Sequence, residues 1–122
     1  MTGTECYRAA LNLMGETRDS GPYYESFALL ALNQLLANCR REIAALREAA
    51  GQPQLTAPLC IQTVDETLPA DEYLVRECFP YGLAALFLCE EDKTRFNYFA
   101  AEFAQRLLCY CPVALTKVQE MT

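Results

Sequence analysis

Residues 79–92 read Phe-Pro-Tyr-Gly-Leu-Ala-Ala-Leu-Phe-Leu-Cys-Glu-Glu-Asp, with no charge from Phe79 to Cys89 and then three consecutive acids. As a helix, such an uncharged run rises only about 16 Å, roughly half the thickness of a hydrocarbon core. It is too short to span a membrane, and its mid-chain position with flanking acids does not fit a signal sequence. The remaining reading is a core helix. Pro80 lacks the N–H for an i−4 bond, so any helix arriving from upstream breaks before Phe79 or kinks there. The preferred reading is a new start with Pro80 in the first turn. Glu90 and Glu91 end the segment, and Asp92 can cap the next helix near Lys93.

Working outward, that next helix is the clearest in the chain. Phe96, Phe99, Ala100, Phe103, Ala104, Leu107, Leu108 and Cys111 keep helical spacing, and Pro112 closes it. Upstream, Asp71 can cap a helix carrying Leu74, Val75 and Cys78, with Tyr73 beside them. Before it, residues 52–70 hold Pro53, Pro58 and Pro69 and little helical periodicity. They read as a long linker anchored by Leu59, Ile61 and Val64, with a short strand over Leu59–Thr63 as the candidate strand.

The longest helix is expected over Pro22–Ala50, with Ser20 as a cap and Gly51 and Pro53 as the stop. Tyr24, Phe27, Ala28, Ala31, Leu32, Leu35, Cys39, Ile43 and Leu46 form its apolar stripe, widened by Leu29, Leu30 and Leu36. This is expected to be the organising helix. A first helix over Gly3–Met14 begins with a capping box, Thr2 and Glu5, and stops at Gly15. Its apolar positions are Cys6, Ala9, Ala10, Leu13 and Met14.

The fold expected is therefore all-α: an irregular antiparallel bundle of four to five helices with a long proline-containing linker. Residues 1–111 form one domain. Residues 112–122 form an extended C-terminal tail without a cap, either an unstructured end or an arm that orders on a partner.

Chemistry is sparse. The chain has no His, which removes the commonest general base and metal ligand, and Ser20 and Ser26 are its only serines. No catalytic residue, cofactor site or metal site is expected. Cys109 and Cys111 form a lone C-x-C, whereas a closed zinc site needs four ligands. Glu90, Glu91 and Asp92 read as a solvated helix junction rather than a magnesium site. Arg40, Arg41 and Arg47 are interleaved with Glu42 and Glu48 and read as a solvent or interface face. Seven scattered cysteines without C-x-x-C spacing fit reduced, mostly buried thiols of a reducing compartment. The opening Met1–Glu16 stretch lacks a basic leader, consistent with synthesis in the cytoplasm.

Net charge is −6, and eight acids between Asp65 and Asp92 face only Arg76 as a counter-charge. Such a surface repels phosphate backbones and disfavours nucleic-acid capture. Partner contact thus falls to the aromatics off the main stripes, Tyr23, Tyr81 and Tyr98. Pro80 and Gly82, where small residues permit close approach, are further candidates, as are Pro112, Val113, Leu115 and Val118 in the tail.

The order of these pieces resembles the small all-helical head-tail connector, or adaptor, proteins of tailed bacteriophages and prophages. The likeness is carried by "ECYRAALNLMGE", the long "FALLALNQLLANCRREIAALREAAG", the proline-punctuated linker, and "ETLPADEYLVRECFPYGLAALFLCEEDKTRFNYFAAEF". Within the last piece, Leu68 and Pro69 stand for the family's "LP" turn, and Tyr81, Gly82, Leu83, Ala84 and Ala85 for its "YGLA"-type helix. The resemblance covers about Thr4–Cys111; the many cysteines and the tail after Pro112 depart from it. It implies a non-enzymatic virion protein at the head-tail junction, binding itself as a ring, commonly a dodecamer. That ring would contact the portal protein on one side and the next neck or tail protein on the other. DNA would pass through it without specific binding, and no membrane is involved. The alternative carried by charge and aromatics is a small acidic phage or bacterial regulator that inhibits a protein partner.

Overall fold

The structure, a computed structural model, describes residues 1–16, 21–56 and 58–110. Its helices are α1 (Gly3–Met14), α2 (Gly21–Glu25), α3 (Ala28–Asn38), α4 (Arg40–Ala49), α5 (Phe79–Leu88) and α6 (Lys93–Tyr110), with a π-helical turn, Leu74–Cys78, leading into α5. The all-α expectation holds. The described residues contain no strand at Leu59–Thr63, only an isolated antiparallel bridge between Thr2 and Thr67.

α5 is the centre of the molecule. Phe79, Pro80, Gly82, Leu83, Ala84, Ala85, Phe87 and Leu88 are buried, while Tyr81 and Leu86 are half-buried. A helix apolar all round must be covered all round. Here α1, α3, α6 and the π-helical turn supply that cover. The organising helix is therefore the short apolar one, not the long second helix expected from the sequence.

Pro80 sits in the first turn of α5, as its missing N–H requires. The upstream helix does not break before it. Instead it widens into the π-helical turn, in which Phe79 N–H reaches back to Leu74 C=O. A wider turn takes the carbonyls out of the path of the proline ring, so the two segments join without a loop. Asp71 caps this run, accepting from Tyr73 and Leu74 N–H (2.9 and 3.3 Å).

The expected Pro22–Ala50 helix is three helices. Ser26 Oγ donates to Tyr23 C=O (2.7 Å) and Phe27 N–H turns tightly to Tyr24 C=O (3.2 Å), which breaks the helix between α2 and α3. At Cys39 (φ −100°, ψ 16°) the chain bends, yet Cys39 N–H still donates to Leu35 C=O and Ile43 N–H to Cys39 C=O, both at 3.0 Å. The apolar stripe survives both interruptions: Tyr24, Ala28, Leu32, Leu35, Leu36, Cys39 and Ile43 are all in the core. Leu30 is the exception, at 73% exposure.

α1 carries the capping box that Thr2 and Glu5 announce, and Gly15 closes it in the left-handed region (φ 72°). Its buried face is Gly3, Cys6, Tyr7, Ala10 and Met14, so Tyr7 replaces the expected Leu13, which is exposed. The linker completes this helix. Gly3 N–H donates to Glu66 C=O (3.1 Å) and Thr4 N–H to Val64 C=O (2.7 Å), satisfying donors that an isolated helix leaves open. Gly3 is also a contact point, since a Cβ there would lie 2.8 Å from Val64 O. Asn33 of α3 holds the linker from the other side: its Nδ2 donates to Ile61 C=O (3.0 Å) and its Oδ1 accepts from Ile61 N–H (2.8 Å). The linker is thus a wrapped, hydrogen-bonded part of the domain.

α6 runs back along α5. Asp92 caps it, accepting from Arg95 N–H (3.1 Å), and Arg95 Nη2 donates to Met14 C=O, tying the end of α1 to the start of α6. Of its expected stripe, Phe99 is buried and Phe96, Ala100, Phe103 and Leu107 are half-buried, whereas Ala104 and Leu108 are exposed. The tail residues Pro112, Val113, Leu115 and Val118, and Cys111, lie outside the described residues.

Candidate functional site

Three places on this scaffold combine exposure with chemistry. The first is the corner built by α2 and the α5–α6 junction. Tyr23 and Tyr24 stand side by side because α2 is a short turn of helix, and their rings pack edge-on with Phe27. Phe87 of α5 closes the cluster at 5.2 Å from Tyr24 and 5.7 Å from Phe27. Both hydroxyls converge on one carboxylate, Tyr23 donating to Glu91 Oε1 (2.8 Å) and Tyr24 to Glu91 Oε2 (3.1 Å). Tyr24 also reaches Glu16 Oε1 (3.3 Å) at the end of α1. The hydrogen bond to Glu91 raises the Tyr23 phenol above its ordinary value. Burial, then the bond to Glu91, raises that of Tyr24 further. The acidic junction therefore does more than sit in solvent: Asp92 caps α6, and Glu91 clamps α2.

The second place is the outer face of α6. Tyr98 is 59% exposed and Leu108 50%, and Tyr110 is exposed near the helix end. Between them, on the side toward α5, the Arg106 guanidinium lies 4.0 Å above the Tyr81 ring. Arg106 Nη1 donates to Glu77 C=O (3.3 Å), and its charge is flanked by the Glu77 and Glu102 carboxylates. Tyr81 is consequently half-covered by its own chain.

The third place is a groove beside α4. A cavity of about 410 Å³ opens between Ile43, Leu46 and Arg47 on one wall and Leu68–Glu72 on the other. A second hollow, about 310 Å³, lies across Arg47, under Gln54–Thr56, Pro58 and Leu59. Arg47 Nε donates to Pro53 C=O (2.9 Å) and Gln54 Nε2 to Ala44 C=O (3.1 Å), so the linker start is strapped onto α4. Arg40 and Arg47 both line the second hollow, which puts the basic cluster at a groove rather than on an open face.

The sequence-predicted residues divide accordingly. Tyr23 and Tyr98 are at the surface, in different places. Pro80 and Gly82 are buried in the protein's own core, where a Cβ on Gly82 would meet Leu35 and Phe103. The cysteines divide too: Cys6, Cys39 and Cys78 are buried, Cys89 is half-buried, and Cys60 and Cys109 are exposed. Burial pushes the Cys6 thiol up to about 12, so it is an inert packing group. The Glu91 clamp and the α4 groove are what sequence reasoning missed. Paired tyrosines against an acid 68 and 67 residues on have no local signal, and the groove depends on where the linker turns back.

Compared with protein-family models, with curated proteins and with solved structures, the chain matches none. Among the described residues there is no group of three or more Cys, Asp or Glu placed to hold a metal ion. No described helix is long and apolar enough to cross a membrane. The chemistry available at the three places is that of contact: aromatic faces, exposed apolar side chains and charge-lined grooves.

Proposed function

We propose that this protein is a non-enzymatic structural subunit, a head-tail connector of a tailed bacteriophage or prophage, which forms a ring beneath the portal and joins it to the next neck or tail component. The observation that carries this reading is the unequal covering of the two C-terminal helices. α5, the "YGLA"-type segment, has eight of its ten residues buried by its own chain, whereas α6 keeps Tyr98, Leu108 and Tyr110 outside. A chain that closes its own core and still presents aromatic and aliphatic side chains has surface to give to neighbours. A ring needs two different surfaces on each subunit, and the α6 face and the α2 corner are chemically different. The acid surplus supports passage of DNA without capture.

The test is assembly. Light scattering and native mass spectrometry of the protein alone and with its cognate portal are expected to show a ring-sized species. A protein that stays monomeric and joins neither portal nor virion particles overturns the reading.

A second reading has its own observation. Glu5, Asp65, Glu66, Asp71 and Glu72 are all exposed around the start of α1, a surface suited to occupying the basic site of a nucleic-acid-binding protein. Stoichiometric recovery of such a host protein from lysate, in place of phage structural proteins, would favour this inhibitor over the connector.

A further inference from the structure

We propose that the outer face of α3 is the seat for α6 of a second copy of this chain, with Leu30 of one copy over Ala101 of the next, between its Tyr98 and Leu108. The inference rests on the ring reading and names the two faces that meet in it. Its first ground is charge. Among the described residues the other surface helices expose charged side chains: Glu5 and Arg8 on α1, Glu25 on α2, and Arg40, Arg41 and Glu48 on α4. α3 holds no charged residue at all, and α6 exposes none beyond its first residue, Lys93. α6 has three more charges, but they are half-buried against its own chain. Arg95 donates to Met14 C=O, and Arg106 lies over the Tyr81 ring beside Glu77 and Glu102. A helix whose outer side is meant for water turns its charges outward, and α6 does the reverse.

This charge pattern selects a second copy as the occupant. Two copies carry the same net charge of −6 and repel one another, so they meet at least cost where neither presents an acid. A partner of opposite charge would be recognised by charged faces, and α1 and α4 hold those. A ring also needs two unlike faces on each subunit, and the uncharged faces number two. They are separate surfaces: α3 and α6 both pack on α5, where Leu35 of one and Phe103 of the other converge on Gly82. One subunit can therefore use both at once.

The second ground is shape. On α6 the exposed residues Tyr98, Ala101, Gln105 and Leu108 follow helical spacing as one ridge, about 15 Å long, with a gap at the small residue. On α3, Leu30, Gln34 and Ala37 keep the same spacing. Leu30 is 73% exposed, more than any other large apolar side chain among the described residues. It is the knob, and Ala101 is the floor of the hole. Gln34, which donates to Asn38 Oδ1 (3.0 Å), and Gln105 give both faces a polar border.

The test is complementation between two blocked faces, read by native mass spectrometry on the full chain without portal. The samples are the native chain, Leu30→Asp, Leu108→Asp, and an equal mixture of the two variants with one isotope-labelled. Circular dichroism melting checks that each variant folds as the native chain does, and Gln34→Arg or Ala101→Arg replaces one that does not. The native chain is expected to associate, and each variant alone to be monomeric. The mixture is expected to give a pair of one labelled and one unlabelled chain and nothing larger, because a single sound α3 face meets a single sound α6 face. Association of Leu30→Asp alone overturns the seat on α3, in favour of α6 meeting α6 or another surface. Two monomeric variants that form no pair on mixing overturn the pairing of these faces. Association of both variants as the native chain overturns the inference while leaving the ring reading in place. A native chain that stays monomeric at every concentration overturns it too, and the ring reading is then decided by assembly with the portal.

Discussion

Gly82 of α5 lies against the Phe103 ring of α6 so closely that a Cβ at position 82 would stand 2.9 Å from both Cδ2 and Cε2, and 2.9 Å from Leu35 Cδ1 of α3. Three helices therefore meet at one missing side chain. Gly82→Ala sets a helix-propensity gain of about 1 kcal/mol against overpacking of about 1–3 kcal/mol. Because Phe103 is only half-buried and can swing outward, the expected net loss is about 1 kcal/mol. Gly82→Leu has no such relief on the Leu35 side and is expected to lose about 3 kcal/mol. Urea unfolding midpoints check both, and an unchanged midpoint for the leucine variant would move Gly82 out of the core.

Asn33 acts on the linker as a neighbouring strand would, donating to Ile61 C=O and accepting from Ile61 N–H. Asn33→Ala removes both bonds and leaves two partly buried backbone groups unpaired, a loss expected at about 2 kcal/mol. Asn33→Asp retains the acceptor but turns a carboxylate oxygen toward the Ile61 carbonyl, and is expected to be no better. Hydrogen exchange at the Ile61 amide separates the local effect from global unfolding: it should accelerate in both variants under conditions where α5 amides remain protected.

Much of the fold was legible because its signals are local. Thr2, Gly15, Gly51, Asp71 and Asp92 terminate helices as their side chains or their freedom at positive φ dictate. The stripe from Tyr24 to Ile43 predicted burial correctly even though its helix is broken twice, because burial depends on face and the breaks keep the face. The breaks themselves depend on a Ser26 hydroxyl choosing a backbone carbonyl and on a bend at Cys39, which neither proline nor glycine announces. Of the three tyrosines off the stripes, Tyr23 and Tyr98 are exposed, while Tyr81 is half-buried beneath Arg106, a contact between helices that the stripe does not encode. The Glu91 clamp and the α4 groove are contacts between distant segments, and one-dimensional periodicity does not encode them.

The clamp has a pH signature. Tyr23 and Tyr24 have phenol pKa values raised above the unfolded value of about 10, so the folded state holds these protons more tightly. Their contribution to stability is complete below about pH 10 and is lost as pH rises through the folded values. The native protein is expected to lose stability as pH rises above about 10, and Tyr24→Phe to show a shallower fall there. On the acid side the sign reverses. The hydrogen bonds from Arg76 and the Met1 ammonium hold Glu72 below its ordinary value, so that contribution is present above 4.5 and fades as pH falls. Denaturation midpoints across both ranges, for the native chain, Tyr24→Phe and Glu72→Gln, check the two directions.

The outer face of α6 separates folding from assembly. Leu108 is 50% and Tyr98 59% exposed, the Tyr98 ring keeping one edge-on contact with Phe99, so Leu108→Asp and Tyr98→Asp are expected to change stability by no more than about 0.5 kcal/mol. In a ring whose subunits meet through this face, the same substitutions bury an unpaired carboxylate at a contact and disrupt association. The expected outcome is an unchanged melting temperature with loss of the ring-sized species by light scattering. Gly82→Leu is the contrasting control, expected to lose stability and assembly together. If both aspartate variants assembled as the native chain does, the α6 face would be a solvent surface, and the ring contacts would have to be sought at the α2 corner, where Tyr23 stands 57% exposed with its hydroxyl on Glu91.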